Sequence, residues 1–212
     1  MHTTSPPALT ADEIDDLLYF TRANESQDLQ QSTKELAQKY DCPPQHVLEA
    51  CIDPETGNST LHYCSANGLV DLLQILLSQL GSEEPNRAAD GKVVGSVLLN
   101  HQNAQGNTPL HWAAYNGHLE VVKLLVAKGA DMWIKNAAGH LAMFEAERAD
   151  KNDVVQYLLE AGGREVERTG TEGQPSAEDM AEVLSSEEGS SNGAGQASEA
   201  ADVEMEGSGP SG

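Results

Sequence analysis

The stretch "GNTPLHWAAYNGHLEVVKLLVAKGAD", Gly106 to Asp131, decides the fold although it carries no recognisable chemistry: no paired carboxylates, no nucleophile beside a base, no phosphate loop. What it does is recur. Gly139, 33 residues on, opens "GHLAMFEAERADKNDVVQYLLEAGG", and Gly57, 49 residues back, opens "GNSTLHYCSANGLVDLLQILLSQLG". The longer step carries 16 extra residues around "SEEPNRAADGKVVGS", a run rich in Gly, Pro and charge that reads as a surface loop. Further upstream, "EIDDLLYFTRANESQDLQQSTKELAQKY" has two helix-like apolar stretches but no Thr-Pro-Leu-His core, the degenerate form expected of a terminal unit.

Each residue of the unit has a local reason. Thr108 can cap a helix whose first position is Pro109, where the missing N–H costs nothing. Leu110, Ala113 and Ala114 give that helix a small apolar face that a neighbour can approach closely. Gly117 ends it where a positive φ is needed. Val121, Leu124 and Leu125 form the stripe of a second helix, Gly129 ends it, and "ADMWIKNAAG" makes a hairpin to the next unit. One unit cannot bury its own apolar face, whereas stacked units can. The period and the Thr-Pro-Leu-His core resemble the ankyrin repeat. The resemblance implies an all-α ankyrin-repeat solenoid of about four helix-turn-helix repeats joined by β-hairpin loops, followed by a disordered acidic C-terminal tail.

Composition sets the limits of that solenoid. Residues 164–212 hold 12 of the 34 acids and two of the 12 bases, with few large apolar side chains. Such a segment buries too little surface to offset its ordering entropy and is expected to be disordered. Residues 1–10 are expected to be a short flexible tail, and residues 11–163 the repeat domain, with the insertion around 80–100. Residues 1–163 keep 22 acids against 10 bases, so the folded part is itself acidic. A chain of net charge −22 repels phosphate backbones, which argues against direct nucleic-acid binding. No apolar run approaches the length of a membrane span, and the N-terminus lacks the basic and hydrophobic regions of a secretory signal. Cys42, Cys51 and Cys64 form no C-x-x-C pair and are expected to be reduced thiols in a cytoplasmic or nuclear protein.

His62 and His111 share one register position, where the imidazole ties the turn to the helix start; convergent metal-ligand spacing is absent. The same structural reading holds for His118, and no metal or other cofactor is expected. The chain therefore reads as a binding module and a monomer, with no enzymatic constellation. An ankyrin stack presents hairpin tips and the first helix of each repeat to a partner. The candidate partner-binding residues are Glu55, Asn67, Tyr115, Asn116, Trp133, Glu145, Glu147 and Arg148. Trp133 stands where a small polar residue is usual, so it is either an exposed anchor or a ring folded back onto the stack. Tyr63 and Trp112, which follow the histidines, are expected to pack in the core. Met143 to Glu147 depart most from the pattern. Their acids either give the last repeat a polar outer face or attract a basic ligand, in which case Glu145 and Glu147 are expected to be semi-exposed.

The degenerate first repeat, the long insertion after the second, "GNTPLHWAAYNGHLEVVKLL", then "AGHLAMFEAERADKNDVVQYLL" and an acidic tail together resemble a family of small fungal ankyrin-repeat proteins. These are dedicated to newly made ribosomal protein S-three of the small subunit, and the resemblance covers residues 11–163. This chain departs from the pattern around Glu25 to Gln30 and in a more Gly/Ser-rich tail. The resemblance implies a basic protein client, ribosomal protein S-three, held soluble with its rRNA-binding surface masked until it joins the pre-40S particle. The alternative is a generic ankyrin adaptor.

Overall fold

The computed structural model describes residues 6–80, 86–87, 93–94 and 97–169. Four antiparallel helix pairs follow one another: α1 (Ala11–Ala23) with α2 (Ser26–Lys39), α4 (Thr60–Asn67) with α5 (Val70–Gln79), α6 (Pro109–Asn116) with α7 (Leu119–Ala127), and α8 (Ala142–Arg148) with α9 (Asn152–Thr169). The first helices α1, α4, α6 and α8 pack side by side in that order. This is the all-α repeat solenoid expected of the period. The degenerate first unit proves to be a longer pair followed by a short extra helix, α3 (Pro44–Ala50), packed on α2.

The Thr-Pro-Leu-His core works as a cap that also reaches the next repeat. His111 Nδ1 accepts from the Thr108 N–H at 3.2 Å and from the Thr108 hydroxyl at 2.8 Å. That fixes the tautomer, so Nε2–H donates to the His140 carbonyl at 3.0 Å, in the following hairpin. Ser59 and His62 repeat the arrangement one unit back, with Nε2 on the Asn107 carbonyl at 2.9 Å. His118 donates to the Ala66 carbonyl at 3.0 Å and His101 to the Gly57 carbonyl at 2.9 Å, so both link repeats. Burial holds His62 down at about 4 and lowers His111, so both rings stay neutral at pH 7.

Between pairs the chain turns through hairpin fingers. Asn103 and Asn136 each use Oδ1 to accept two backbone N–H groups of their own turn, and Asp53 does the same with its carboxylate. Neighbouring fingers are stitched together twice. Ala104 N–H donates to the Thr56 carbonyl and Ala137 N–H to Gln105, both at 2.9 Å. The side-chain amide of Asn103 donates to Asn58 at 2.8 Å, and that of Asn136 to Asn107 at 2.9 Å.

The core runs along the stack through Leu17, Leu18, Leu48, Leu61, Leu72, Leu73, Leu76, Leu110, Val121, Val122 and Leu125. Ala113, Ala114 and Ala146 are fully buried where the first helices meet, as close helix approach requires. The three cysteines are free and buried; burial pushes the Cys51 and Cys64 thiols up to about 12. At the outer end of the first pair, Glu13 accepts from Lys39 Nζ at 2.6 Å, from the Tyr40 hydroxyl at 2.8 Å and from the Thr10 N–H at 2.8 Å. Chiefly through Lys39, these donors hold its carboxyl at about 2.

One boundary differs from the sequence reading. The last helix does not stop at Gly163: its backbone stays helical through Gly162 and Gly163 to Thr169, six residues into the expected tail. The rest of the tail, 170–212, and residues 1–5 lie outside the described residues. Within the insertion, Asn86–Arg87 pairs antiparallel with Val93–Val94, and a 3-10 turn at Val97–Asn100 leads back into the stack. The rest of that run is also outside the described residues.

Candidate binding face

The repeats bring the candidate residues to one side by register. Helices α4 and α6 start with the same Ser/Thr–His cap and α8 starts at the equivalent register position without it, so their ends fall at equivalent places. Asn67 at the end of α4, Tyr115 and Asn116 at the end of α6, and Arg148 at the end of α8 are all exposed. Tyr115 keeps 51% of its surface accessible. Asn116 is held by donating to the Trp112 carbonyl at 2.9 Å. Glu55 lies exposed on the first finger, with its backbone N–H bonded to Asp53. These five residues keep the exposure that a binding role requires.

Glu145 corrects the expectation of a semi-exposed acid. It is 7% exposed. One carboxylate oxygen accepts from Asn136 Nδ2 and from His140 Nδ1, each at 2.9 Å, and the other from Arg148 Nη1 at 2.7 Å. Burial pushes its carboxyl up, but the His140 and Asn136 hydrogen bonds and the Arg148 charge outweigh it and hold it below the ordinary carboxylate range. Glu145 therefore clamps the last finger to α8 with three of its acceptor sites. Glu147 is half-buried, in the register position of the buried Ser65 and Ala114.

For Trp133 the second alternative, a ring folded back onto the stack, is the one found. Its ring lies against α9: a Cβ added at Gly162 would meet Cη2 at 3.2 Å and Cζ2 at 3.3 Å. Gly162 is the floor on which the tryptophan sits. Tyr63 and Trp112 differ in the opposite sense, since both are half-buried rather than core residues. Tyr63 donates its hydroxyl to Asp53 at 2.8 Å, and the Arg22 guanidinium stands 5.0 Å from the centre of its ring. Two exposed apolar side chains were not singled out by sequence, Tyr19 on α1 and Val97 beside the insertion. Nothing in their local pattern marks them.

Among the described residues no group of three or more His, Cys, Asp or Glu side chains could hold a metal ion, and no helix is long and apolar enough to cross a membrane. The arrangement is a repeat scaffold with hydrogen-bonded fingers, helix ends in register and an excess of acids.

A family model of ankyrin repeats in three copies matches residues 88–170. The solved structures include a chain in the crystal structure of the yeast ribosomal protein Rps3 in complex with its chaperone Yar1. That likeness has a TM-score of 0.58 and 34% identity, and covers 72% of this chain and 94% of that one. The chain belongs to the ankyrin-repeat family. Within it, the chain is similar to the ankyrin repeat-containing protein YAR1 of Saccharomyces cerevisiae, 31% identical over 114 residues, which are 53% of this chain and 54% of YAR1. It is also 49% identical over 53 residues to the probable E3 ubiquitin-protein ligase XBOS33 of Oryza sativa subsp. japonica, but that match takes in only 10% of the ligase. The chain thus spans about half of one of these curated relatives and a tenth of the other.

Proposed function

We propose that this protein is a dedicated escort of newly made ribosomal protein S3 of the small subunit, acting by binding and without catalysis. The observation that carries the reading is the likeness to the Rps3–Yar1 crystal structure over 94% of the matched chain at 34% identity. Charge agrees with it. Ribosomal proteins contact rRNA through Lys- and Arg-rich surfaces, and an acidic solenoid complements such a surface while repelling competing nucleic acid. The escort masks the rRNA-binding surface of S3 until assembly into the pre-40S particle, in the cytoplasm and the nucleus. Exposed Glu55, Asn67, Tyr115, Asn116 and Arg148 supply contact positions for it.

The test is reconstitution. The purified protein mixed with purified S3 is expected to give a one-to-one complex that keeps S3 soluble at low salt and blocks its binding to RNA. A pull-down from cell extract should return S3 in near-equal amount. Recovery of a spread of nuclear regulators without S3 would replace the escort by a general adaptor.

A further inference from the structure

One register position on the first helices, the residue after the Leu-His pair or its equivalent, is occupied by Tyr63 on α4, Trp112 on α6 and Glu145 on α8. The outer two positions each carry a guanidinium supplied by the chain itself. Arg22, from the end of α1, stands over the Tyr63 ring at 5.0 Å. Arg148 bonds Glu145 at 2.7 Å. The central position has none: among the described residues no cation lies over Trp112, and α4 ends in Ala66 and Asn67 where α1 supplies Arg22.

What Trp112 offers to a partner is aromatic carbon. The residue is half-buried, and its indole nitrogen is inaccessible and makes no hydrogen bond, so the accessibility the ring keeps belongs to its carbon atoms rather than to the N–H. Tyr115, one turn further along α6, extends that surface with a half-exposed ring. On a chain of net charge −22 an aromatic ring favours a cation, and tryptophan is the best of the aromatic receivers. Both occupants of the outer positions are arginines. Guanidinium is planar and more weakly hydrated than ammonium, so it stacks on an indole at less desolvation cost.

We infer that Trp112, with Tyr115 beside it, receives an arginine side chain of a basic partner, completing a row of three guanidinium sites of which the chain fills two itself. This rests on the escort reading for the partner's identity, S3, but not for the chemistry of the slot.

The test uses the full chain carrying Trp133→Phe, which leaves Trp112 as the only one of the two tryptophans. Deca-arginine and deca-lysine are titrated at matched ionic strength while tryptophan emission and binding are followed. Deca-arginine is expected to perturb the emission and to bind about tenfold more tightly than deca-lysine, the scale of one well-desolvated cation–π contact. Equal binding of the two peptides, or binding of deca-arginine with unchanged emission, overturns the inference. This comparison keeps Trp112 native, so it does not depend on how any Trp112 variant folds. Trp112→Leu, checked by thermal melt, is then compared with the native chain against purified S3, with about a tenfold loss expected. Native binding that survives Trp112→Leu undiminished overturns the slot and leaves the escort reading intact. Arginine preference without any S3 binding supports the slot and sinks the escort reading.

Discussion

At the scale of single residues, Glu145 separates stability from binding. With three donors on a buried carboxylate, Glu145→Ala leaves polar groups of Asn136 and His140 unmatched and should cost on the order of 2–3 kcal/mol. Affinity of the folded fraction for a basic partner should be unchanged. Urea unfolding and titration on the same preparation check this, and a loss of affinity at constant stability would place the carboxylate in the interface after all. The histidines predict a second effect. The folded state keeps His62 neutral down to about 4 against an ordinary value of 6.5, and His111 is shifted the same way. Between those values the unfolded chain binds more protons, so stability must fall as pH falls through that window, and His62 alone accounts for roughly 3 kcal/mol by its lower end. The urea midpoint should drop measurably from pH 7 to pH 5; a flat midpoint would mean that the rings are solvated. The His roles were legible in sequence because Ser or Thr three residues before His sets a local cap. The fate of Glu145 was not, since its partners Asn136 and His140 come from the finger and only folding brings them to it.

At the scale of elements, the fingers are the tightest joints. Gly106 has φ +73, and a Cβ there would meet the Ala137 backbone nitrogen at 2.6 Å and the Asn136 carbonyl carbon at 3.0 Å. Gly139 has φ +81 with nothing within 4 Å. Both alanine substitutions bear the left-handed backbone cost of about 1 kcal/mol, but Gly106→Ala must also push two fingers apart. It should therefore be the more destabilising by at least about 1 kcal/mol in parallel denaturation curves, and equal losses would mean that the fingers yield freely. Repeat period, caps and helix pairing could be read from the sequence because they are local and periodic. The course of α9 past Gly162 could not, because a Gly-Gly pair ordinarily stops a helix and the ring of Trp133 that covers Gly162 comes from 29 residues earlier. Trp133→Ala should accordingly lower the melting temperature and leave partner affinity alone.

At the scale of the whole molecule, net charge governs encounter. Residues 1–163 carry 22 acids against 10 bases, so association with a basic partner should slow by about an order of magnitude from low to physiological salt as the field is screened. Stopped-flow traces that do not change over that range would assign recognition to apolar contact alone. The insertion has a different bearing. Across it the finger bond from Ala104 to Thr56 has the same 2.9 Å length as the bond from Ala137 to Gln105, where nothing is inserted. The extra chain therefore leaves the joint undisturbed, and lengthening it further costs only a slowly rising closure entropy. That makes the seam between Leu80 and Val97 a splice point: a fluorescent reporter grafted there should leave the melting temperature within a few degrees of the parent, turning the molecule into a sensor that reports its own complex from inside the stack.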